Sequence, residues 1–257
     1  DWRVKENSTV TYSVGGLILS NSGAITANYW LSEIYDEEVA NAHRNADFHI
    51  HDLSMLTGYC AGWSLRQLIE EGLGGVPGKI SSAPAKHLNT LCNQMVNFLG
   101  IMQNEWAGAQ AFSSFDTYLA PFVRTDGLSY NEVKHCVESF IFGVNTPSRW
   151  GTQAPFSNIT LDWVVPPDLA DRPCIVGGKP MDFTYGDCKR EMDMINKAFI
   201  EVMIEGDANG RGFQYPIPTY SITRDFDWSE TENNRLLFEM AAKYGTPYFS
   251  NYINSDM

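Results

Sequence analysis

The sequence lacks several common features, and each absence excludes a class of protein. It has 18 basic against 31 acidic side chains, a net charge of −13, and therefore no basic face for binding nucleic acid irrespective of sequence. It has no long apolar run, so we find neither a membrane span nor a signal peptide. Both common phosphate-binding loops, G-x-x-x-x-G-K-[ST] and G-x-G-x-x-G, are missing. A bound nucleotide would have to be held by helix amino termini, backbone N–H groups, Mg²⁺ or single arginines.

Cysteine is sparse and scattered. None of the five cysteines forms a C-x-x-C pair, which argues against a zinc ribbon or a disulfide framework and is typical of a reducing cytoplasm. Three of them lie in helical patterns and one in a loop bounded by proline, so we expect these four to be inert: Cys92, Cys136, Cys188 and Cys174. Only Cys60 lies in a different context.

Material for a hydrophobic core is plentiful. Of the 257 residues 44% are hydrophobic, including 14 Phe, 12 Tyr and 7 Trp, enough for one large domain or two small ones. Long helical patterns separate isolated strand-like runs, which predicts an α/β fold with mostly buried strands. The predicted helices cover 25–45, 84–103, 129–142, 192–203 and 229–243. The predicted strands cover 48–51, 155–163, the region around Tyr220 and Ile222, and 248–253.

Two histidines and an aspartate form a dense polar group at His49-Ile50-His51-Asp52. On a strand His49 and His51 would face the same side, as a metal-binding pair does in amidohydrolase-type barrels. A metal hydrolase needs further ligands on later strands, whereas the other histidines lie in helical runs: His43, His87 and His135. A structural or substrate-contacting role is therefore favoured over metal binding, and we expect no metal ligand in this chain.

Cys60 lies within Gly58-Tyr59-Cys60-Ala61-Gly62-Trp63, shortly after this polar group. A free cysteine is often a small core residue. Here Gly58 and Gly62 allow a ligand or another backbone to approach closely, and His51-Asp52 lies just upstream. Both features favour a functional role for Cys60 over a role in the core.

The run Asn145 to Asn158 is rich in hydrogen-bonding side chains and leads into a predicted strand. One interpretation is a helix end followed by a turn. The other is a phosphate site, because a single arginine among Ser, Thr, Gln and Gly suits a polyanion. Ser148 and Arg149 are the phosphate candidates.

Six phrases in this order resemble the anaerobic (class III) ribonucleoside-triphosphate reductases, a glycyl-radical family, over nearly the whole chain. They are His49-Ile50-His51-Asp52-Leu53, Gly58 to Trp63, Glu105 to Ser114, Asn145 to Asn158, Phe213 to Tyr220 and Tyr244 to Asn251.

The resemblance implies one half of a ten-stranded α/β barrel built from two five-stranded sheets around a central finger loop. Residues 1–257 would form the N-terminal half of this catalytic domain. Four features of the family have no counterpart in the sequence: the N-terminal ATP-binding regulatory module, the finger-loop cysteine, the glycyl-radical domain and the C-terminal zinc-binding cysteines. We therefore expect the chain alone to be inactive.

The resemblance also implies a chemistry. In the family a glycyl radical passes to the finger-loop cysteine, which takes hydrogen from the ribose 3′ carbon of a ribonucleoside triphosphate, and a reductant then restores hydrogen at the 2′ position. Cys60 would be the substrate-facing cysteine on the first barrel strand, with its thiol facing a hollow of sugar size, and formate would be the reductant. His51, Asp52 and Asn158 would hydrogen-bond around the ribose or formate. The remaining substrate contacts would be Ser148, Arg149, Gln153 and His49.

The partners implied are a Mg²⁺-bound nucleotide substrate, ATP and dNTP effectors, a radical-SAM activating enzyme and a second copy of the chain, in the cytoplasm. Lys79 and Gln110 are candidate effector contacts. The helix from Pro84 to Gln103 is either a dimer interface or a core helix. Three alternatives stay open: another glycyl-radical enzyme similar to pyruvate formate-lyase, a His-x-His metal-dependent hydrolase, and a nucleotide-responsive dimerisation module without chemistry.

Overall fold

A computed structural model of the protein describes residues 14–55, 57–74, 77–146 and 154–254. The helices are α1 Val14–Tyr29, a π-helical turn Trp30–Ile34, α2 Glu37–Arg44, α3 Leu65–Glu71, α4 Leu88–Met102, α5 Phe115–Asp126, α6 Tyr130–Asn145, α7 Pro167–Ala170, a 3₁₀ turn Gly186–Cys188, α8 Lys189–Glu205 and α9 Glu232–Tyr244. The strands are β1 Ala61–Trp63, β2 Gln110–Phe112, β3 Ser157–Leu161, β4 Pro173–Val176, β5 Lys179–Thr184, β6 Ile217–Ile222 and β7 Tyr248–Asn251. No helix among the described residues has the length and apolar content to cross a membrane.

Five strands form one parallel sheet in the order β1-β2-β3-β6-β7, and β4 and β5 form a separate antiparallel hairpin. Helices connect the successive parallel strands, as parallel pairing requires. The predicted α/β class is therefore confirmed.

One face of this sheet is covered by the helices. The side chains of Phe112, Ile159, Leu161 and Tyr220 alternate along β2, β3 and β6 onto that face and are fully buried there. The residues between them, such as Asn158 and Thr219, point to the opposite face and are only partly buried. The sheet thus has one face in the core and one face that the described helices leave uncovered.

Several local predictions are confirmed. Helix α6 begins after Ser129, which forms a capping box with Glu132, because a Ser and a Glu three residues apart satisfy each other's backbone groups. The strand predicted at 155–163 is β3, and the apolar stripe at 192–203 is the buried side of α8.

Three predictions need correction. Residues 48–50 are irregular and 51–55 form a turn, so there is no strand at His49 and His51. The helix predicted from 229 begins at Glu232, because the Thr231 hydroxyl rather than Ser229 accepts the first free N–H, from Asn234. The helix predicted over 25–45 is broken by the π-helical turn.

A buried carboxylate fixes the carboxyl end of β3. Asp116, in the first turn of α5, accepts hydrogen bonds from the backbone N–H groups of Asp162 (2.8 Å) and Trp163 (2.9 Å). It also accepts one from the side-chain amide of Asn196 on α8 (2.8 Å). Trp163 has a φ of 64°, a strained value for a bulky residue, and these bonds hold it there. Asp116 therefore joins α5, α8 and β3.

Asp162 lies beside this carboxylate and accepts a hydrogen bond from the Thr117 hydroxyl (2.5 Å). Burial, and then the nearby charge of Asp116, raise the pKa of Asp162 to about 7. Burial also raises the pKa of Asp116. The folded state therefore favours the protonated form of Asp162. Between the unfolded pKa of about 4 and the folded pKa of about 7, the carboxyl group ionises in the unfolded chain but stays protonated in the folded protein. The free energy of unfolding therefore falls as the pH rises through this interval.

The substitution Asp162→Asn tests this linkage. Asparagine can still accept the bond from Thr117 but does not ionise. Over that pH interval the free energy of unfolding of the variant should therefore fall by on the order of 3 kcal/mol less than that of the wild type. Urea unfolding at a series of pH values measures it. Asp182→Asn, an exposed aspartate on β5, is the matched control. Parallel pH profiles for wild type and Asp162→Asn would contradict the prediction.

Candidate active site

Cys60 is held by backbone pairing just before β1. The Ala107 N–H donates to the Gly58 carbonyl (3.0 Å) and the Ala61 N–H donates to the Ala109 carbonyl (3.0 Å). Between them the Ala109 N–H donates to the Cys60 sulfur (3.3 Å). The thiol therefore sits on a fixed backbone, although it lies one residue outside the strand on which it was predicted.

This pairing requires glycine at position 108. A Cβ atom built on Gly108 would lie 2.7 Å from the Cys60 sulfur and 2.5 Å from the Tyr59 carbonyl oxygen. Position 58 also requires glycine, since a Cβ there would overlap the Trp106 ring. The two backbones approach each other more closely than side chains would permit.

Strand alternation, extended by one residue before β1, assigns Cys60 to the uncovered side of the sheet. The ring of Trp63 packs on Phe98 of α4, with centroids 5.3 Å apart, so Trp63 lies on the helix side. Cys60 is three residues before it, and alternation places Cys60 and Gly62 on the opposite side. We call the surface formed by Cys60, Gly62, Ala111, Asn158 and Thr219 the open face.

Strand register brings the members of the open face together. Gly62, Ala111 and Asn158 lie side by side on β1, β2 and β3. Two strand spacings across the sheet and two residues along it separate Cys60 from Asn158, so their Cα atoms lie roughly 12 Å apart. Only a glycine and an alanine lie between them on β1 and β2, and nothing approaches within 4 Å of a Cβ built on Gly62. A small molecule can therefore rest between the thiol and the amide.

Asn158 has a fixed orientation on this face. Its amide nitrogen donates to the Thr219 hydroxyl on β6 (3.2 Å), which leaves the amide oxygen to receive a donor from a ligand. Thr219 was not among the predicted site residues. Its place in the strand-like run that follows Pro216 and Pro218 was the available signal.

The thiol is exposed rather than enclosed. We expected a hollow of sugar size around it, and the described residues form one wall of such a hollow. An enclosed cavity would need a second wall opposite the open face.

The histidine group is arranged differently from the prediction. Asp52 has a φ of 52°, in the left-handed region, which ends any extended run at His51. The Ile50 N–H donates to Nδ1 of His43 (3.0 Å) instead of to a neighbouring strand. The rings of His49 and His51 stack edge to face, with centroids 4.7 Å apart. These side chains therefore contact each other rather than lining one side of a strand.

No hydrogen bond within the described part of the chain joins His51 or Asp52 to Cys60 or Asn158, so the roles of His49, His51 and Asp52 stay predictions. Among the described residues, no group of three or more His, Cys, Asp or Glu side chains is placed to hold a metal ion.

The predicted phosphate contacts Ser148, Arg149 and Gln153 lie outside the described residues. The chain on either side of them is described. Asn145, the last residue of α6, donates to the Tyr215 carbonyl (2.6 Å) and accepts from the Tyr215 N–H (3.2 Å), next to the start of β6. Ala154 lies three residues before the first residue of β3. Both flanks thus lie at the amino ends of the parallel strands, the edge at which Cys60 precedes β1.

The prediction that Gln110 contacts an effector needs correction. It is completely buried, its oxygen accepts from the Trp63 indole (2.8 Å), and its nitrogen donates to the Gly108 carbonyl (3.0 Å). Both ends of the amide are therefore occupied, one of them in joining β1 to β2, which gives Gln110 a structural role and no surface for an effector. Lys79 lies in an exposed loop before α4 and stays a prediction.

Helix α4 is a core helix. The apolar stripe that suggested a dimer interface is buried within the chain itself, with Leu88, Leu91, Met95 and Leu99 at 0% exposure. The exposed side carries asparagines such as Asn93. The stripe therefore does not argue for dimerisation.

The geometry defines a class: a parallel α/β sheet with one covered face and a thiol and an amide on the other. The solved structures that resemble the chain share its fold. The anaerobic ribonucleotide reductase from Thermotoga maritima in complex with dATP and CTP superposes with a TM-score of 0.70 at 20% identity, covering 95% of this chain and 43% of that one. The same protein with MES in the active site gives a TM-score of 0.72 at 20% identity, covering 95% and 44%.

Another structure, described as anaerobic ribonucleotide reductase, gives a TM-score of 0.68 at 20% identity, with 95% and 40% coverage. The chain thus spans less than half the length of these proteins. They confirm the predicted fold, part of the α/β barrel of these enzymes. No curated protein matches the chain.

The sequence profile of the anaerobic ribonucleoside-triphosphate reductases matches residues 6–257. The chain belongs to this family of oxidoreductases. The match confirms the resemblance seen in the six phrases.

The close approach at Gly108 yields a prediction. Gly108→Ala places a methyl group against the Cys60 sulfur and the Tyr59 carbonyl, so it should lower the free energy of unfolding by about 1–3 kcal/mol. Urea unfolding measures the loss, and the rate of Cys60 alkylation should change with it. Gly62→Ala, which has open space, is the matched control and should leave stability within about 0.5 kcal/mol. Equal stability of the two variants would show that the two backbones do not approach each other this closely at Gly108.

Proposed function

We propose that this chain forms the first half of the catalytic barrel of an anaerobic ribonucleotide reductase, which converts ribonucleoside triphosphates to deoxyribonucleoside triphosphates. The observation that carries the proposal is Cys60, held by backbone pairing on the open face of a sheet whose family reduces nucleotides. The second half of the barrel would form the wall opposite that face.

The residues of the open face suit a ribose. Cys60 offers an S–H bond that can exchange hydrogen with the sugar, from a backbone too rigid to swing away. Asn158, oriented by Thr219, can accept a hydrogen bond from a ribose hydroxyl. Gly62 leaves space above the sheet. A glycyl radical, carried elsewhere in the whole enzyme, would supply the radical that starts the reaction.

The triphosphate would lie towards the amino ends of the strands. Arg149 and Ser148, with Gln153, belong to the connection between α6 and β3, whose described flanks both lie at that edge. An arginine at this place can pair with phosphate oxygens, and Mg²⁺ would accompany the nucleotide.

Other features follow from family membership. Formate would act as the reductant, a radical-SAM enzyme would install the radical, and zinc would bind only outside this chain. The related Thermotoga protein has been solved with dATP bound in the specificity site, which supports nucleotide effectors here, with Lys79 as a candidate contact. We also expect a homodimer and a cytoplasmic location.

Replacement of the thiol tests the proposal. In a full-length reductase that carries this chain, activated anaerobically and given formate, Cys60→Ser should abolish dCTP formation from CTP, because an O–H bond is too strong to exchange hydrogen with a sugar radical. CTP binding should persist.

The matched control is Cys136→Ser, a cysteine of α6 on the covered side, which should retain dCTP formation. Normal turnover by Cys60→Ser would remove Cys60 from the reaction and the proposal with it.

Asn158 generates a second test in the same assay. Asn158→Ala removes one substrate hydrogen bond, so kcat/KM for CTP should fall roughly ten- to hundredfold. Asn97→Ala, on the exposed side of α4, should leave it unchanged. Wild-type kinetics for Asn158→Ala would mean that the open face does not contact the sugar.

A further inference from the structure

Two cysteines that were expected to be inert lie side by side in the interior. The sulfur atoms of Cys174 and Cys188 are 3.9 Å apart, and the residues are 0% and 1% exposed. They belong to a small apolar cluster, separate from the main core, that also contains Leu169, Tyr185 and Met192. Packing alone does not require the two sulfurs to be neighbours.

The pair connects two elements of the fold. Cys174 lies on β4, and Cys188 ends the 3₁₀ turn that leads into α8. The Cys188 sulfur is 3.5 Å from the Thr184 carbonyl oxygen, and the guanidinium of Arg124 donates to the Asp187 carbonyl in the same turn. A bond between the sulfurs would tie the β4–β5 hairpin to the start of α8.

The two thiols differ in acidity. The hydrogen bond from Cys174 lowers the pKa of Cys188, and the positive charge of Arg124 acts in the same direction. The same hydrogen bond and burial raise the pKa of Cys174. Cys188 is therefore the better nucleophile and Cys174 is the thiol that would follow it.

The other buried cysteines lack this arrangement. Burial raises the pKa of both Cys92 and Cys136, and no hydrogen bond within the described residues joins their sulfurs. They provide an internal comparison for buried thiols in the same chain.

We propose that Cys174 and Cys188 form a dithiol that a small-molecule disulfide oxidises to an intrachain disulfide. The Cys188 thiolate attacks one sulfur of the reagent, forming a mixed disulfide and releasing one thiolate. Cys174 then attacks the Cys188 sulfur, the mixed bond breaks, and the second reagent thiol leaves. The protein loses two electrons and two protons, and the reagent is reduced to two thiols. The protein sulfurs close from 3.9 Å to about 2.05 Å.

The test treats the native chain with oxidised glutathione and maps its thiols by mass spectrometry after trypsin digestion. Trypsin leaves residues 150–189 as one peptide that contains both cysteines, because the two basic residues inside it, Arg172 and Lys179, precede proline. Disulfide formation lowers the mass of this peptide by that of two hydrogen atoms. The peptide 45–66 should gain glutathione on the exposed Cys60, which shows that the reagent was active.

Variants establish the order of attack. Cys174→Ser should stop the reaction at glutathione on Cys188, whereas Cys188→Ser should leave Cys174 unmodified and Cys92→Ser should still form the disulfide. Circular dichroism checks that each variant folds. The oxidised wild type should also melt roughly 5 °C or more above the reduced form, because the bond closes a loop in the unfolded chain.

The result that overturns the proposal needs no variant. If peptide 45–66 gains glutathione while peptide 150–189 keeps its reduced mass, or carries glutathione on both cysteines, the pair is not a functional dithiol. Formation of the disulfide does not depend on the proposed reductase activity.

Discussion

The site depends on one close contact between two stretches of backbone. Residues 58–61 pair with 107–109, and this pairing is possible only because position 108 has no Cβ. The contact places the Cys60 sulfur 3.3 Å from a backbone N–H and fixes the edge of the sheet at which the thiol lies. The buried amide of Gln110 strengthens the same junction by joining Trp63 to the Gly108 carbonyl. A thiol on a flexible loop would lack this precision of placement.

The second constraint is the division of the sheet into two faces. Parallel sheets are normally covered on both sides, yet the described helices cover one. Alternation puts Phe112, Ile159 and Tyr220 on the covered side and Gly62, Asn158 and Thr219 on the other. The small and polar character of the open face fits a surface that lines a binding cavity. In the function that we propose, the occupant of that cavity is a ribonucleotide.

Sequence reasoning succeeded where the signal is local and failed where distant residues decide. The start of α6 after Ser129 and the strand β3 follow from neighbouring side chains, and both were predicted. The prediction of a strand at His49 was wrong because Asp52 adopts a left-handed backbone conformation and the Ile50 N–H donates to His43. Gln110 was misassigned because its burial depends on Trp63, which lies 47 residues away. Asp116 and Asn196 form a hydrogen bond although they lie 80 residues apart, and neither local sequence predicts this contact.

The central claim is that Cys60 faces the bound nucleotide, and protection of its thiol measures this most directly. In a full-length reductase carrying this chain, the rate of Cys60 alkylation by iodoacetamide is followed by peptide mass spectrometry with and without saturating CTP. A nucleotide on the open face should slow alkylation of Cys60 at least about tenfold, since at saturation its thiol is covered in nearly every molecule. An equal rate in the presence and absence of CTP would contradict the account.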